Sequence, residues 1–121
     1  MGEIATSVRE VILFYNPDSI LAEKVLAYAK AEGFPLREVD ILKTPFTGTQ
    51  IEELAERLHV SVENLINKAH PDFRRWYKAP NLSDDDWIKI MKNHPEFIKE
   101  PIAIRGDIAI LVKTPSDLVK L

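Results

Sequence analysis

The chain lacks cysteine, and this absence excludes a large class of chemistry from its 121 residues. Without a thiol it can form no disulfide, offer no thiolate to a metal and present no cysteine nucleophile. Long apolar runs are also lacking, since no stretch approaches the roughly 18 apolar residues that a membrane-spanning helix requires. The first ten residues contain no apolar segment typical of a signal peptide. We therefore expect a cytoplasmic protein without a membrane partner.

Basic residues are not in excess either, because 16 Lys and Arg face 19 Asp and Glu, for a formal net charge of -3. Nucleic acids are bound through clustered cations, so this balance argues against a nucleic-acid partner. Hydrophobic residues make up 45% and charged residues 29%, which is typical of a globular protein and not of a disordered one. The length predicts a single domain over residues 1–121.

The first third of the chain has the pattern of a βαβ unit. The apolar run from Val11 to Tyr15 predicts a buried strand, and apolar residues at helical spacing predict a helix from Ser19 to about Glu32. Gly33 stands where a left-handed C-terminal cap is expected. Residues 36–41 predict a second strand, parallel to the first across the helical crossover.

Residues from about 47 to 95 predict a helical insert. Thr49 and Glu52 have the spacing of a capping box for a helix through Leu58, and Ser61 can cap a second, shorter helix.

The second half of this insert is less regular. The segment after His70-Pro71-Asp72 has no clear pattern, and Ser83 then caps another helix. The three aspartates that follow Ser83 point in different directions around a helix axis, so we interpret them as stabilising the helix N-terminus and not as a metal site.

The last quarter predicts a β-hairpin followed by a short helix. Two apolar runs, 102–104 and 108–112, flank Arg105-Gly106-Asp107, which is typical of a turn. Thr114 and Pro115 then predict the start of the final helix. The chain therefore predicts an α/β fold with a mixed sheet of about four strands, built from a βαβ half, a helical insert and a ββα half.

The order of three motifs carries a family resemblance that covers nearly the whole chain. They are the strand-turn at Tyr15-Asn16-Pro17, the insert around 60–68, and the closing run from His94-Pro95 through Pro101-Ile102 to 113–117. Through them the sequence resembles the arsenate reductases and the related regulator Spx. The resemblance implies a thioredoxin-like fold in which Pro101, ahead of the third strand, borders the site.

This family starts its first helix with a cysteine, because a helix N-terminus lowers the thiol pKa and presents N–H groups to an oxyanion. The matching position here is Ser19, and the second cysteine of Spx-like members corresponds to Ala22. An alcohol ionises far less readily than a thiol, and nucleophilic serine needs an adjacent base. We therefore predict no catalytic residue and no cofactor, and expect Ser19 or Asp18 to cap the helix.

The family's arginine clamp for the oxyanion is also replaced. The arginine before the proline corresponds to Glu100, and the arginine in the insert corresponds to Asn67 or, with a shift of one residue, to Lys68. The third falls within 108–112, which contains no basic residue. The groove that the resemblance implies is formed by Asn16, Asp18, Ala22, Asn67, Glu100 and Pro101.

A short basic and aromatic cluster in the insert is a second candidate, for binding a partner protein or single-stranded nucleic acid. Cationic side chains on a solvated face explain it equally well. The cluster comprises Lys68, Arg74, Arg75, Trp76 and Tyr77, with Lys78 beside them.

Three functional hypotheses remain open. The chain is a non-catalytic module that binds another protein, as Spx does; or an enzyme that acts on an oxyanion with a thiol from glutathione or a partner; or a form in which a native cysteine was changed to Ser19. Loss of the cysteine together with the arginines favours the first hypothesis.

Overall fold

A four-stranded mixed sheet lies at the centre of the computed structural model, which describes residues 4–77 and 81–121. The strands are β1 (Val11–Tyr15), β2 (Leu36–Asp40), β3 (Ile102–Arg105) and β4 (Ile108–Leu111), in the spatial order β2-β1-β3-β4. Strands β1 and β2 pair in parallel across helix α1 (Ile20–Ala31), whereas β3 is antiparallel to both β1 and β4. The predicted βαβ unit, hairpin and α/β fold class are confirmed.

Two glycines end elements where the sequence predicted them. Gly33, after α1, has a φ of +75°, and Gly106, between β3 and β4, has a φ of +59°. Both angles lie in the left-handed region that side chains disfavour. A Cβ atom on Gly106 would also come within 2.8 Å of Val8 Cγ1, so this turn requires glycine for space as well as for conformation.

The predicted helical insert lies between β2 and β3. It contains α2 (Gly48–Leu58), a 3-10 helix (Val62–Leu65), α3 (Pro71–Trp76), α4 (Asp84–Asn93) and a 3-10 turn (Pro95–Phe97). No helix in the described ranges is long and apolar enough to cross a membrane.

The capping box predicted at Thr49 and Glu52 is wrong. Thr47 caps α2, because its hydroxyl accepts a hydrogen bond from the Gln50 backbone N–H at 3.1 Å. The Gln50 side chain accepts in return from the Thr47 N–H at 3.0 Å. Both threonines fit the motif, and the helix begins at the earlier one, with Thr49 inside its first turn.

The segment after His70 forms a helix that the sequence pattern did not show. Helix α3 begins with Pro71, and His70 Nδ1 accepts from the Asp72 N–H at 3.1 Å. Phe73 is buried, with its ring centroid 6.1 Å from that of Trp87 and 5.7 Å from that of Phe97. Packing between aromatic rings from distant parts of the chain, and not local periodicity, accounts for this helix.

The final segment is also helical, as predicted, but it is a 3-10 helix (Pro115–Lys120). The predicted cap of α4 is confirmed, since the Ser83 hydroxyl accepts from the Asp86 N–H at 3.3 Å.

Apolar side chains cover both faces of the sheet. Alternate residues of β1 point to opposite sides, so Ile12 and Phe14 pack with the insert while Val11 and Leu13 pack with α1. Leu118 of the final 3-10 helix is fully buried on the α1 side. Because β1 and β3 are antiparallel, the residues just after β1 lie beside those just before β3. That end of the sheet carries the candidate site.

Candidate functional site

The turn from β1 into α1 is held by its own side chains. The Asn16 carboxamide accepts a hydrogen bond from the Asp18 N–H at 2.8 Å, and the Asn16 carbonyl accepts from the Ser19 N–H at 3.0 Å. Ser19 Oγ then accepts from the Ala22 N–H at 3.1 Å. Ser19 is therefore the N-cap of α1, as predicted.

Glu100 reaches this turn from the other side of the sheet. The register that pairs Phe14 with Ile102 brings Glu100 opposite Asn16, and its Oε1 accepts the Asn16 N–H at 3.2 Å. The Ser19 hydroxyl also hydrogen-bonds to this carboxylate. Partial burial raises the pKa of Glu100, and this outweighs the lowering by the two hydrogen bonds.

Pro101 follows Glu100 through a cis peptide bond. The proline is buried, and its carbonyl accepts a hydrogen bond from the Val112 N–H at 2.9 Å. This bond joins the start of β3 to the segment that leaves β4. This hydrogen bond fixes the backbone just before β3, and it thereby fixes the position of Glu100.

A groove of about 440 Å³ opens beside Glu100. Three residues of the predicted groove line it: Asn16, Asn67 and Glu100. Its other polar and charged lining residues are His70, Glu96, Lys99 and Lys113.

The remaining predicted groove residues lie outside this lining. Asp18 is exposed on the turn, and Ala22 is buried beneath α1 at 1% exposure. Ser19 and Pro101 border the site without lining the groove. Of the two carboxylates that the sequence suggested, only that of Glu100 therefore faces an incoming ligand there.

Lys99 and Lys113 are groove residues that the sequence reasoning missed. Lys99 directly precedes Glu100, and Lys113 directly follows the run 108–112, which contains no basic residue. The signal was available in the closing run of the family resemblance, one position beyond the end of the predicted strand.

Asn67 is held on the groove wall by two hydrogen bonds. Its N–H donates to the Phe97 carbonyl at 2.7 Å, and its Oδ1 accepts from the Ala69 N–H at 3.1 Å. An isolated bridge between Ile66 and Ile98 fixes the same part of the insert against the segment before β3. One of the two positions that the resemblance assigns to a clamp arginine, Asn67, therefore carries a short, neutral amide.

Two cationic side chains of the basic and aromatic cluster already form ion pairs within the chain. Lys68 pairs with Glu63, and its Nζ lies 5.3 Å from the centroid of the Trp87 ring. Arg75 Nη1 lies 3.6 Å from Asp72 Oδ1.

The aromatic members divide between surface and interior. Trp76 is 51% exposed, and its ring centroid lies 5.2 Å from that of His94. Tyr77 stacks on Phe73 at 5.3 Å, while Arg74 is exposed. Lys78 lies outside the described residues, and a partner-binding role for the cluster stays a prediction.

The site offers no activated nucleophile in the residues that border it. The group hydrogen-bonded to Ser19 is a carboxylate, which is far too weak a base to ionise an alcohol. Among residues 4–77 and 81–121, no three His, Asp or Glu side chains are grouped as ligands for a metal ion. What the arrangement does is place a carboxylate on the Asn16 N–H and beside the Ser19 hydroxyl, in the turn that leads into α1.

Known proteins similar to this chain match most of its length. An arsenate reductase from Haemophilus influenzae is 22% identical over 114 residues, which cover 92% of this chain and 97% of that protein. No protein-family model matches the chain.

Solved structures of arsenate reductases and related proteins superpose on most of this chain. The arsenate reductase from Vibrio cholerae superposes with a TM-score of 0.84 at 20% identity, covering 93% of this chain and 97% of that one. An arsenate reductase related protein from Brucella melitensis superposes with a TM-score of 0.73 at 17% identity, covering 98% and 97%. The chain thus has the thioredoxin-like fold of the arsenate reductases and resembles that family in sequence, without the cysteine that starts the family's first helix.

Proposed function

We propose that this chain is a non-catalytic relative of the arsenate reductases that acts as a protein-binding or regulatory module. The observation that supports it is the Glu100 carboxylate, which accepts the Asn16 N–H and the Ser19 hydroxyl at the start of α1. A helix N-terminus in this fold is the place where an oxyanion would be bound. Here a carboxylate of the chain itself takes one backbone donor of the turn that leads into α1.

Three of the backbone donors at this turn are already used. The N–H groups of Asn16, Asp18 and Ala22 donate to Glu100, Asn16 and Ser19 respectively. An arsenate ion would have to displace the Glu100 carboxylate and would meet its negative charge. Binding of a substrate oxyanion is therefore opposed in two ways, by lost donors and by repulsion.

A second candidate function is favoured by the two lysines of the groove. Lys99 and Lys113 line it together with Glu96 and Glu100, so the groove offers two cations as well as two carboxylates. This arrangement suits the carboxylates of glutathione, and an enzyme that borrows the thiol of glutathione would need such a pocket. Glu100 is the feature that opposes this reading.

An arsenate turnover assay separates the two. The protein is incubated with arsenate, glutathione and a glutaredoxin, and arsenite is measured against a sample without the protein. We expect no arsenite above that background. Arsenite formation that scales with protein concentration would replace the non-catalytic proposal with the glutathione-dependent one.

A matched variant makes the negative result informative. Glu100→Gln keeps the length and the hydrogen-bonding oxygen of the side chain but removes the charge. Because no thiol is gained, this variant is also expected to give no arsenite. Turnover in the variant alone would show that the pocket is competent and that only the Glu100 charge blocks it.

A further inference from the structure

Strand β4 lies at the edge of the sheet, and part of its backbone faces away from β3. The Val112 N–H donates to the Pro101 carbonyl, and peptide groups alternate in direction along an antiparallel strand. Ile110 and Ile108 therefore bond to β3, whereas the N–H and C=O groups of Ala109 and Leu111 point outward. In residues 4–77 and 81–121, nothing outside β4 hydrogen-bonds to these outward groups.

A groove of about 500 Å³ lies along this open edge. Leu58, Val60 and Leu65 of the insert form its wall on one face of the sheet. Ala109 and Leu111 form its floor. Asp117 and Lys120 of the final 3-10 helix line it from the other face, so elements on both faces flank an edge that itself stays open.

Apolar side chains are exposed beside the same edge. Ile108 is 48% exposed and Val60 is 39% exposed, although large apolar side chains gain from burial. An edge strand with unpaired peptide groups and apolar neighbours is a template for another strand. Natural proteins protect such edges, often with lysine.

The lysines here leave charge available to a ligand. Lys99, Lys113 and Lys120 line the groove with a single carboxylate, that of Asp117. That carboxylate accepts from the Lys113 and Thr114 N–H groups at 2.9 and 3.0 Å and lies 3.2 Å from Lys120 Nζ.

The ammonium groups of Lys99 and Lys113 are different. Neither makes an ion pair within the described part of the chain. Both also line the groove beside Glu100, so the two grooves adjoin at these lysines. Two unpaired cations therefore stand at one end of the open edge in a chain whose net charge is -3.

We propose that this groove binds an extended, acidic segment of a partner protein, which adds to the sheet as a fifth strand beside β4. The inference deepens the proposed protein-binding role and rests on it. Ala109 and Leu111 are two residues apart, which is the repeat of an extended peptide, so each can exchange a pair of main-chain hydrogen bonds with it. Alternate side chains of the segment meet the apolar wall, and its carboxylates reach Lys99 and Lys113.

The first experiment selects peptides without assuming a sequence. Phage-displayed random heptapeptides are enriched on the full chain, and the enriched peptides are then titrated into ¹⁵N-labelled protein. We expect enrichment of peptides that combine Asp or Glu with β-branched residues. We also expect their largest amide shifts at Ala109, Leu111 and Lys113.

Two sets of variants test the two parts of the interaction. Lys99→Glu with Lys113→Glu should weaken binding of the enriched peptides by about tenfold or more. The matched control is Lys24→Glu with Lys89→Glu, which makes the same change of net charge at exposed positions elsewhere and should leave binding unchanged.

Ala109→Pro removes one outward N–H without removing a bond to β3, because proline is tolerated where the N–H of an edge strand faces solvent. It should abolish peptide binding while circular dichroism and the unfolding midpoint show a folded protein. If this variant does not fold, the lysine pair and its control still decide the question.

Four results would overturn the proposal. They are the absence of enriched peptides, enrichment of peptides without acidic residues, amide shifts confined to other surfaces, and a stable dimer in which the β4 amides of two copies protect each other from hydrogen exchange. Arsenate turnover is measured separately and reports on the site beside Ser19, not on the β4 groove. Arsenate turnover together with peptide binding would contradict the non-catalytic proposal and leave the peptide-binding groove supported. Absence of peptide binding without arsenate turnover would contradict only the peptide-binding inference.

Discussion

Glu100 Oε1 lies 3.2 Å from the backbone nitrogen of Asn16, although 84 positions separate the two residues in the sequence. The contact joins the segment before β3 to the turn after β1. It puts a partly buried carboxylate beside the hydroxyl of Ser19, the position at which the family resemblance implies a cysteine. The negative charge of Glu100 therefore acts directly on the group at position 19.

A thiol placed at this turn should be a poor nucleophile. In Ser19→Cys the thiolate would form next to the Glu100 carboxylate, so we expect the thiol pKa to be higher than in Ser19→Cys combined with Glu100→Gln, by about one unit. The rate of alkylation by iodoacetamide as a function of pH measures it.

Ser19→Cys combined with Glu32→Gln is the matched control for that experiment. It removes one negative charge at the far end of the same helix and should leave the thiol pKa unchanged. Equal thiol pKa values with and without the Glu100 charge would show that this carboxylate does not govern the site.

Removal of the Ser19 hydroxyl should destabilise the fold. Ser19→Ala loses the cap on the Ala22 N–H and the hydrogen bond to Glu100, so we expect the free energy of unfolding to fall by about 1 kcal/mol in urea titrations. Ser61→Ala is the matched control, because Ser61 precedes its 3-10 helix without a side-chain capping bond. Ser61→Ala should lower the free energy of unfolding by less than about 0.5 kcal/mol. An equal decrease in Ser19→Ala and Ser61→Ala would contradict the capping role.

The charge of Glu100 should reduce stability at neutral pH. Its pKa is raised in the folded protein, so the folded state favours the protonated form, and stability is lost as pH rises from the unfolded-state pKa through the folded-state pKa. We expect Glu100→Gln to unfold at a higher urea concentration than the wild type at pH 7, by under about 1 kcal/mol because the group is partly solvated.

The pH dependence is the check on that explanation. The difference between Glu100→Gln and wild type should shrink to nothing below about pH 4, where Glu100 is protonated in both states. A wild type more stable than the variant at pH 7 would show that the hydrogen bonds to the carboxylate outweigh its burial.

Local patterns predicted the sheet well. Residues 11–15 and 36–40 form the expected parallel pair, and the turn around Gly106 closes the expected hairpin. Short apolar runs bounded by Gly or Pro are typical of buried strands. The four-stranded α/β fold therefore follows from the sequence.

Helix boundaries and contacts between distant residues were harder to predict. Thr47 and Thr49 both fit a capping motif, and nothing local decides between them. Helix α3 depends on the contact of Phe73 with Phe97, which local periodicity does not show.

The same limit applied to the candidate site. The cap at Ser19 is a local feature and was predicted. The hydrogen bond from Asn16 to Glu100 depends on the register between β1 and β3, which a single sequence does not specify. Lys113 was not predicted, because it lies one residue beyond the end of the predicted strand.

The most direct test of the closed site is a titration of ¹⁵N-labelled protein with arsenate, phosphate and reduced glutathione in turn, following the amides of Asn16, Ser19, Ala22 and Glu100. Since the Asn16, Asp18 and Ala22 N–H groups already have acceptors within the chain and the Glu100 carboxylate lies beside them, we predict no saturable shift of these amides at millimolar ligand. Saturable shifts at Asn16 and Ser19 with any of the three ligands would show that the ligand displaces the carboxylate, and would contradict the account.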